Sequence, residues 1–298
     1  MNDIDHWRNQ LGTTGVWCTT DMLAIDDAVA LARRIEALGF GCLWLPETMG
    51  KDPFAHIGHL AAVTDSLTFA TGIANIHHRH PGAMAQAATT LAEQSGGRFV
   101  NALGVSHAPL VEGLRGLDYS KPLAAMRTYL TSMAGAPFMG AGPERPAPVL
   151  IGALGPKMIA LSGELADGAH PYWTTPEHTA QAREILGPDK LLCVEQKVVA
   201  TTDRAVMRRT AEAVLGVYIS LPNYRNNWKR LGFSDAEIDA KDDRFLDAVI
   251  GWGEMDDLQA RVDEHLAAGA DHVCIQPMTP EHPFTVDTSV LEALAPSA

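Results

Sequence analysis

Short apolar runs alternate along the chain with segments whose apolar residues recur at helical spacing. TGVWCT, ending near residue 19, is the first run and predicts a strand. Residues 25–38 follow with Ala28, Leu31, Ala32, Ile35 and Leu38 on one helical face, and Gly39 is placed to stop that helix. CLWLPE (42–47) predicts a second strand and 55–64 a second helix. LTFATGI (67–73) predicts a third strand, and Pro81 opens a helix to about 92, where its missing N–H costs little. RFVNALGV (98–105), PVLIGA (148–153), GAHPYW (168–173), KLLCVEQKVVATT (190–202) and ADHVCIQPM (270–278) supply five further strands. Helical segments at about 122–134, 156–165, 177–186 and 255–268 separate them. Eight strands that alternate with helices predict an α/β fold of the (β/α)8 TIM-barrel class. A doubly wound sheet is the competing architecture. It announces itself with a glycine fingerprint after the first strand, and CTTDM is not one.

The chain reads as a single domain over 1–298. One stretch, about 204–252, is too long for one barrel helix and predicts a helical insertion. Its YISLPNYRNNW portion fits either a cap over the barrel mouth or an oligomer contact.

Composition adds exclusions. With 46% hydrophobic and 20% charged residues, the chain is an ordinary globular sequence able to bury a large core. A formal charge of −13 argues against nucleic acid or an anionic membrane surface as a main partner. No apolar stretch reads as a signal peptide or a membrane span, so a cytoplasmic protein is expected. Cys18, Cys42, Cys193 and Cys274 are far apart and read as buried free thiols in a reducing compartment. The 12 histidines include no HExxH pattern, and no metal is expected.

In a TIM barrel the site is built from the loop at the C-terminal end of each strand. Strand two ends on Glu47, a carboxylate that could accept from a cofactor ring N–H, act as an acid or base, or sit in a solvated loop. TGIANIHHRHP at the end of strand three carries Asn75 among polar residues whose spacing is not that of a metal site. Strand four ends in LGVSH, where Gly104 would allow close approach of a ligand and Ser106 and His107 would enter the mouth. His107 suits general acid–base chemistry near neutral pH, or is a loop histidine without a role. GALGPKM after strand five sets Gly152, Gly155 and Pro156 at the opening of a helix, an anion-binding arrangement to which Lys157 adds charge. His170, Tyr172 and Trp173 after strand six offer a polar tip and aromatic walls for a substrate pocket.

Taken together, LGFGCLWLPE, TGIANIHHRHP, SGGRFVNALGVSH, PVLIGALGPKMIALSGELADGAHP and AAGADHVCIQP resemble the luciferase-like monooxygenase superfamily, and within it the branch that uses the deazaflavin coenzyme F420. The resemblance implies a bacterial-luciferase-like barrel. It implies a non-proline cis peptide at Gly72–Ile73, a bulge that supports the cofactor ring. It places cofactor contacts at Glu47, Val105 and Ser106, a phosphate loop at Gly155, Pro156, Lys157 and Met158, and a catalytic acid where His107 stands. Two departures stand out: Thr48 comes after the strand-two carboxylate where related sugar-phosphate dehydrogenases have histidine, and His107 replaces a glutamate. They make sugar-phosphate oxidation the wrong expectation and leave the substrate open.

The implied activity is hydride transfer between coenzyme F420 and a small organic substrate. An FMN-dependent monooxygenase and a non-catalytic flavin- or deazaflavin-binding protein are the alternatives. Analogy with the family implies a homodimer.

Overall fold

A computed structural model describes residues 3–296. Eight parallel strands form its centre: β1 (Thr14–Trp17), β2 (Cys42–Leu45), β3 (Thr68–Thr71), β4 (Phe99–Gly104), β5 (Val149–Ile151), β6 (Gly168–Ala169), β7 (Leu191–Ala200) and β8 (His272–Thr279). Each pairs with the next, and β8 returns to β1 through Thr14↔Val273, so the sheet closes into a TIM barrel. The strands read as continuous apolar runs because both faces are covered; every residue of β2 and β3 is buried. Helices Ile25–Ala37, Pro53–Ala61, Pro81–Gln94, Pro122–Ala134, Pro156–Leu165, Pro176–Leu186 and Met255–Ala267 alternate with them. Gly39 comes after the first of these at φ +84°, a backbone conformation open to glycine at little cost.

Helix Asp3–Leu11, which the hydrophobic pattern does not announce, covers the N-terminal end of the barrel. Its Trp7 and Leu11 pack with Cys42, Trp44, Ala70 and Val100. Gly41 must be glycine here, because a Cβ would stand 1.9 Å from the Leu11 carbonyl oxygen.

After β3 the chain leaves the ladder for two residues and rejoins it as the short strand Ala74–Asn75, which pairs with β4. Ala70 pairs with Val100 and Ala74 with Leu103, so the β3 side carries one extra residue. This is the expected bulge, and its Gly72–Ile73 peptide bond is cis.

The 204–252 segment consists of helices Arg204–Tyr218, Pro222–Arg230, Asp235–Ala240 and Asp243–Val249, then strand Ile250–Gly253. That strand was not expected. It takes over the outer half of one β7 edge, with Lys197↔Ile250 and Ala200↔Gly253. The insertion has its own core, in which Met207, Leu215, Tyr224, Trp228, Phe245 and Leu246 close on Trp173, Val199 and Met278. It is therefore a cover seated on the C-terminal ends of β6, β7 and β8. Trp228 is fully buried against Phe245, so truncating it to alanine should cost about 3–5 kcal/mol.

Candidate active site

The C-terminal mouth has two halves. Over β3, β4 and β5 it is lined by half-buried Ile73, Val105, Ser106, His107, Gly152 and Gly155. Over β6 to β8 the insertion closes it.

Ile73 forms the floor of the open half. A Cβ on Gly104 would meet Ile73 Cδ1 at 2.3 Å, and one on Gly152 would meet Ile73 Cγ2 at 3.4 Å. The expectation for Gly104 is corrected by this packing: its missing side chain makes room for Ile73, not for a ligand. Trp17 supports the bulge from inside, its indole Nε1 donating to the Gly72 carbonyl at 2.9 Å. Glu47 supports it from the rim. Glu47 Oε2 accepts from the Asn75 backbone N–H at 2.7 Å, and Oε1 accepts from Arg79 at 2.6 Å, with His78 Nδ1 at 3.2 Å. The Glu47 carboxylate is thus engaged in holding the turn that carries Asn75, and Asn75 Oδ1 accepts in turn from the His77 backbone N–H at 2.9 Å.

Beyond β4, Ser106 takes a left-handed backbone at φ +58°, and its carbonyl accepts from the Tyr119 hydroxyl at 2.7 Å. His107 faces the insertion. Its ring lies 5.6 Å from that of Tyr224, and the Asn223 side chain is a polar neighbour. Burial lowers the His107 pKa below its ordinary value, partly countered by that neighbour. Its Nδ1 is buried without a partner.

The loop after β5 leads into helix Pro156–Leu165. Gly155 is the extended N-cap, no side chain caps the helix, and its first turn holds no acidic residue. The free N–H groups and the positive helix end make this an anion-ready position. His178 braces the loop by a 2.8 Å bond between Nε2 and the Leu154 carbonyl. Lys157 is exposed and Met158 half-buried at the start of this helix. Arg230 of the insertion lies against Gly155, its Nη2 at 3.4 Å from where a Cβ would stand.

The closed half is aromatic. Tyr172 stands 5.2 Å from Trp17 and 5.6 Å from Tyr218, and Tyr218 is 5.1 Å from Tyr224. Trp173, at φ +58°, accepts the Trp228 indole N–H on its carbonyl at 3.0 Å. Beneath them lies a pair that strand-end reading missed: Lys197 Nζ contacts both oxygens of Glu195, at 3.0 and 3.1 Å. The same ammonium sits 3.6 Å from the Tyr172 ring centroid and 3.8 Å from that of Trp173. Burial lowers the lysine pKa and raises the glutamate's, and each partner counters the other's shift. Two charges at alternate positions of an otherwise uncharged strand, VEQKVVA, were the available signal.

His170 lies deeper than the aromatic walls, and its Nε2 is buried without a partner. It comes just after β6, which ends at Ala169, and is buried and stacks on Trp44 at 4.4 Å. Its Nδ1 lies 2.9 Å from the Cys193 carbonyl, and burial pushes its pKa down to about 4. Among the described residues no group of three metal-ligating side chains gathers, and no helix is long and apolar enough to cross a membrane. All four cysteines are buried and unpaired. A surface cleft of about 510 Å³ beside Trp252 and Arg261 lies outside this constellation, and one of about 370 Å³ between Tyr119 and Tyr129 borders it through His77 and Tyr119.

The fold is a TIM barrel with a half-open C-terminal mouth, and comparison gives it a family. The profile of the luciferase-like monooxygenase family matches residues 7–272, and the chain belongs to that family. A Mycobacterium tuberculosis protein provisionally named a coenzyme F420-dependent oxidoreductase is 28% identical over 63% of this chain and 67% of its own length. The 5,10-methylenetetrahydromethanopterin reductase of Methanolobus tindarius is 29% identical over 46% of this chain, which spans about half (47%) of that reductase. Among solved structures, the coenzyme F420-dependent tetrahydromethanopterin reductase of Methanopyrus kandleri superimposes with TM-score 0.73 at 18% identity, covering 95% of this chain and 97% of that one.

Proposed function

We propose that the protein is an oxidoreductase that transfers a hydride between coenzyme F420 and a small organic substrate at the barrel mouth. The observation that carries this reading is the uncapped, acid-free helix start at Gly155 beside the half-open floor of Ile73. An anion position next to a flat apolar floor suits a ring cofactor with a phosphate-bearing tail. The residues fit the group: His107 Nδ1, after β4, and Asn227 Nδ2, on helix Pro222–Arg230, are both buried without partners. The name of the mycobacterial relative favours F420 over FMN.

When bound, such a cofactor supplies the hydride chemistry. Ile73, Val105 and Ser106 would hold the ring, Glu47 and Asn75 would fix the bulge beneath it, and the Gly152 to Met158 loop would take the phosphate. Tyr172 and Trp173 would wall the substrate space and exclude water. His107 would move the proton. Its lowered pKa keeps the imidazole neutral at pH 7, able to accept a hydroxyl proton in one direction and to return it in the other.

The test is a substrate screen with F420, and then His107→Asn. The variant should keep its F420 affinity and lose about 10²–10⁴-fold in turnover. The rising limb of wild-type kcat/KM in the oxidation direction should lie below the ordinary histidine range and vanish in the variant. Unchanged turnover would remove His107 from the chemistry. Binding with no turnover on any alcohol or carbonyl substrate would favour a non-catalytic binding protein.

A further inference from the structure

Helix Pro222–Arg230 bridges the two loops of the open half. Asn223, Asn227 and Arg230 fall four and three residues apart and share one face. At one end Asn223 neighbours His107, whose ring lies 5.6 Å from that of Tyr224 on the same helix. At the other, the Arg230 guanidinium reaches Gly155. Between them Asn227 is 1% exposed; its Oδ1 accepts from Arg230 Nη2 at 3.1 Å, and its Nδ2 is buried with no partner.

Arg230 is a cation without an anion. Among the described residues no carboxylate lies within ion-pairing distance of it, although the chain carries a net −13. It also stands at the positive end of helix Pro156–Leu165, the end that repels a cation. The residue is exposed overall, partial burial of its guanidinium lowers the pKa, and no acidic neighbour acts the other way. A guanidinium, an orphan amide N–H and free backbone N–H groups therefore converge on one point, all of them donors. An anion with several acceptor oxygens would satisfy them together.

We propose that Arg230, oriented by Asn227, is the residue that recognises the cofactor's phosphate group, so that the insertion completes the anion site begun by the β5 loop. The proposal rests on the cofactor reading above. The experiment measures affinity by fluorescence for two pairs of ligands: F420 against its phosphate-free deazaflavin, and FMN against riboflavin. Arg230→Ala should bind the phosphorylated member of whichever pair the wild type accepts about 10–100-fold more weakly and the phosphate-free member unchanged. Arg225→Gln, which removes a cation paired with Asp235 and Asp239 on the same helix, should change neither. Equal losses for both members, or no loss, would overturn the assignment. Should the wild type bind neither pair, the cofactor reading fails separately, and inorganic phosphate decides the arginine. Phosphate should raise the melting temperature of wild type and not of Arg230→Ala. The same rise in both proteins, or a rise in neither, would overturn the proposal.

Discussion

Acid should unfold this barrel through three buried histidines. His272 is read as a neutral ring, with Nδ1 donating to the Gly12 carbonyl at 2.9 Å and Nε2 accepting from the Trp44 indole at 3.1 Å. A second proton on His272 would set a donor against the Trp44 donor. His265 lies between Gln196 Oε1 and Thr179 Oγ1, both at 2.8 Å, and His170 stacks on Trp44. Burial pushes these pKa values down to about 4 for His170 and His272 and about 3 for His265. A folded-state pKa below the unfolded value of 6.5 means that the unfolded chain binds protons first. The contribution to stability is complete above pH 6.5 and is lost as pH falls from there toward 4. Each site costs about 1 kcal/mol per pH unit in that window, hence about 2 kcal/mol each and about 6 together at pH 5. That is comparable with the whole stability of a domain, about 5–15 kcal/mol. Urea unfolding at pH 7.5, 6.5, 5.5 and 5 measures the slope. His265→Gln and His272→Gln should each flatten it by about 1 kcal/mol per pH unit. Slopes parallel to wild type in both variants would refute the reasoning.

Packing sets two more outcomes. Gly104→Ala puts a methyl 2.3 Å from Ile73 Cδ1, so it should cost about 1–3 kcal/mol in urea unfolding and weaken cofactor binding by moving the floor. Lys197→Met strands a buried Glu195 and should cost about 3–5 kcal/mol, most of it recovered when Glu195→Gln is added; a double-mutant cycle measures the coupling.

The barrel was legible because its strands are nearly pure apolar runs and its helices begin at prolines, as at Pro81, Pro122 and Pro156. The strand-end rule then pointed to Glu47, Ser106, His107 and the Gly155 loop, and the family resemblance to Ile73. The rule did not show that His170 is buried against Trp44, a contact between distant strands. Lys197 and Glu195 escaped it because they lie within β7, not at its end. Tyr218, Tyr224 and Arg230 escaped it because their meaning depends on how the insertion folds back, a long-range contact with no local periodicity. Helix Asp3–Leu11 was missed because only three residues, Ile4, Trp7 and Leu11, carry its apolar face.

Titration of the purified protein with F420 and, in parallel, with FMN tests the central claim most directly. The account predicts saturable F420 binding in the micromolar range with a change in the deazaflavin spectrum, and much weaker uptake of FMN. Tight FMN binding without an F420 response would contradict it and move the protein to the oxygen-using side of its family.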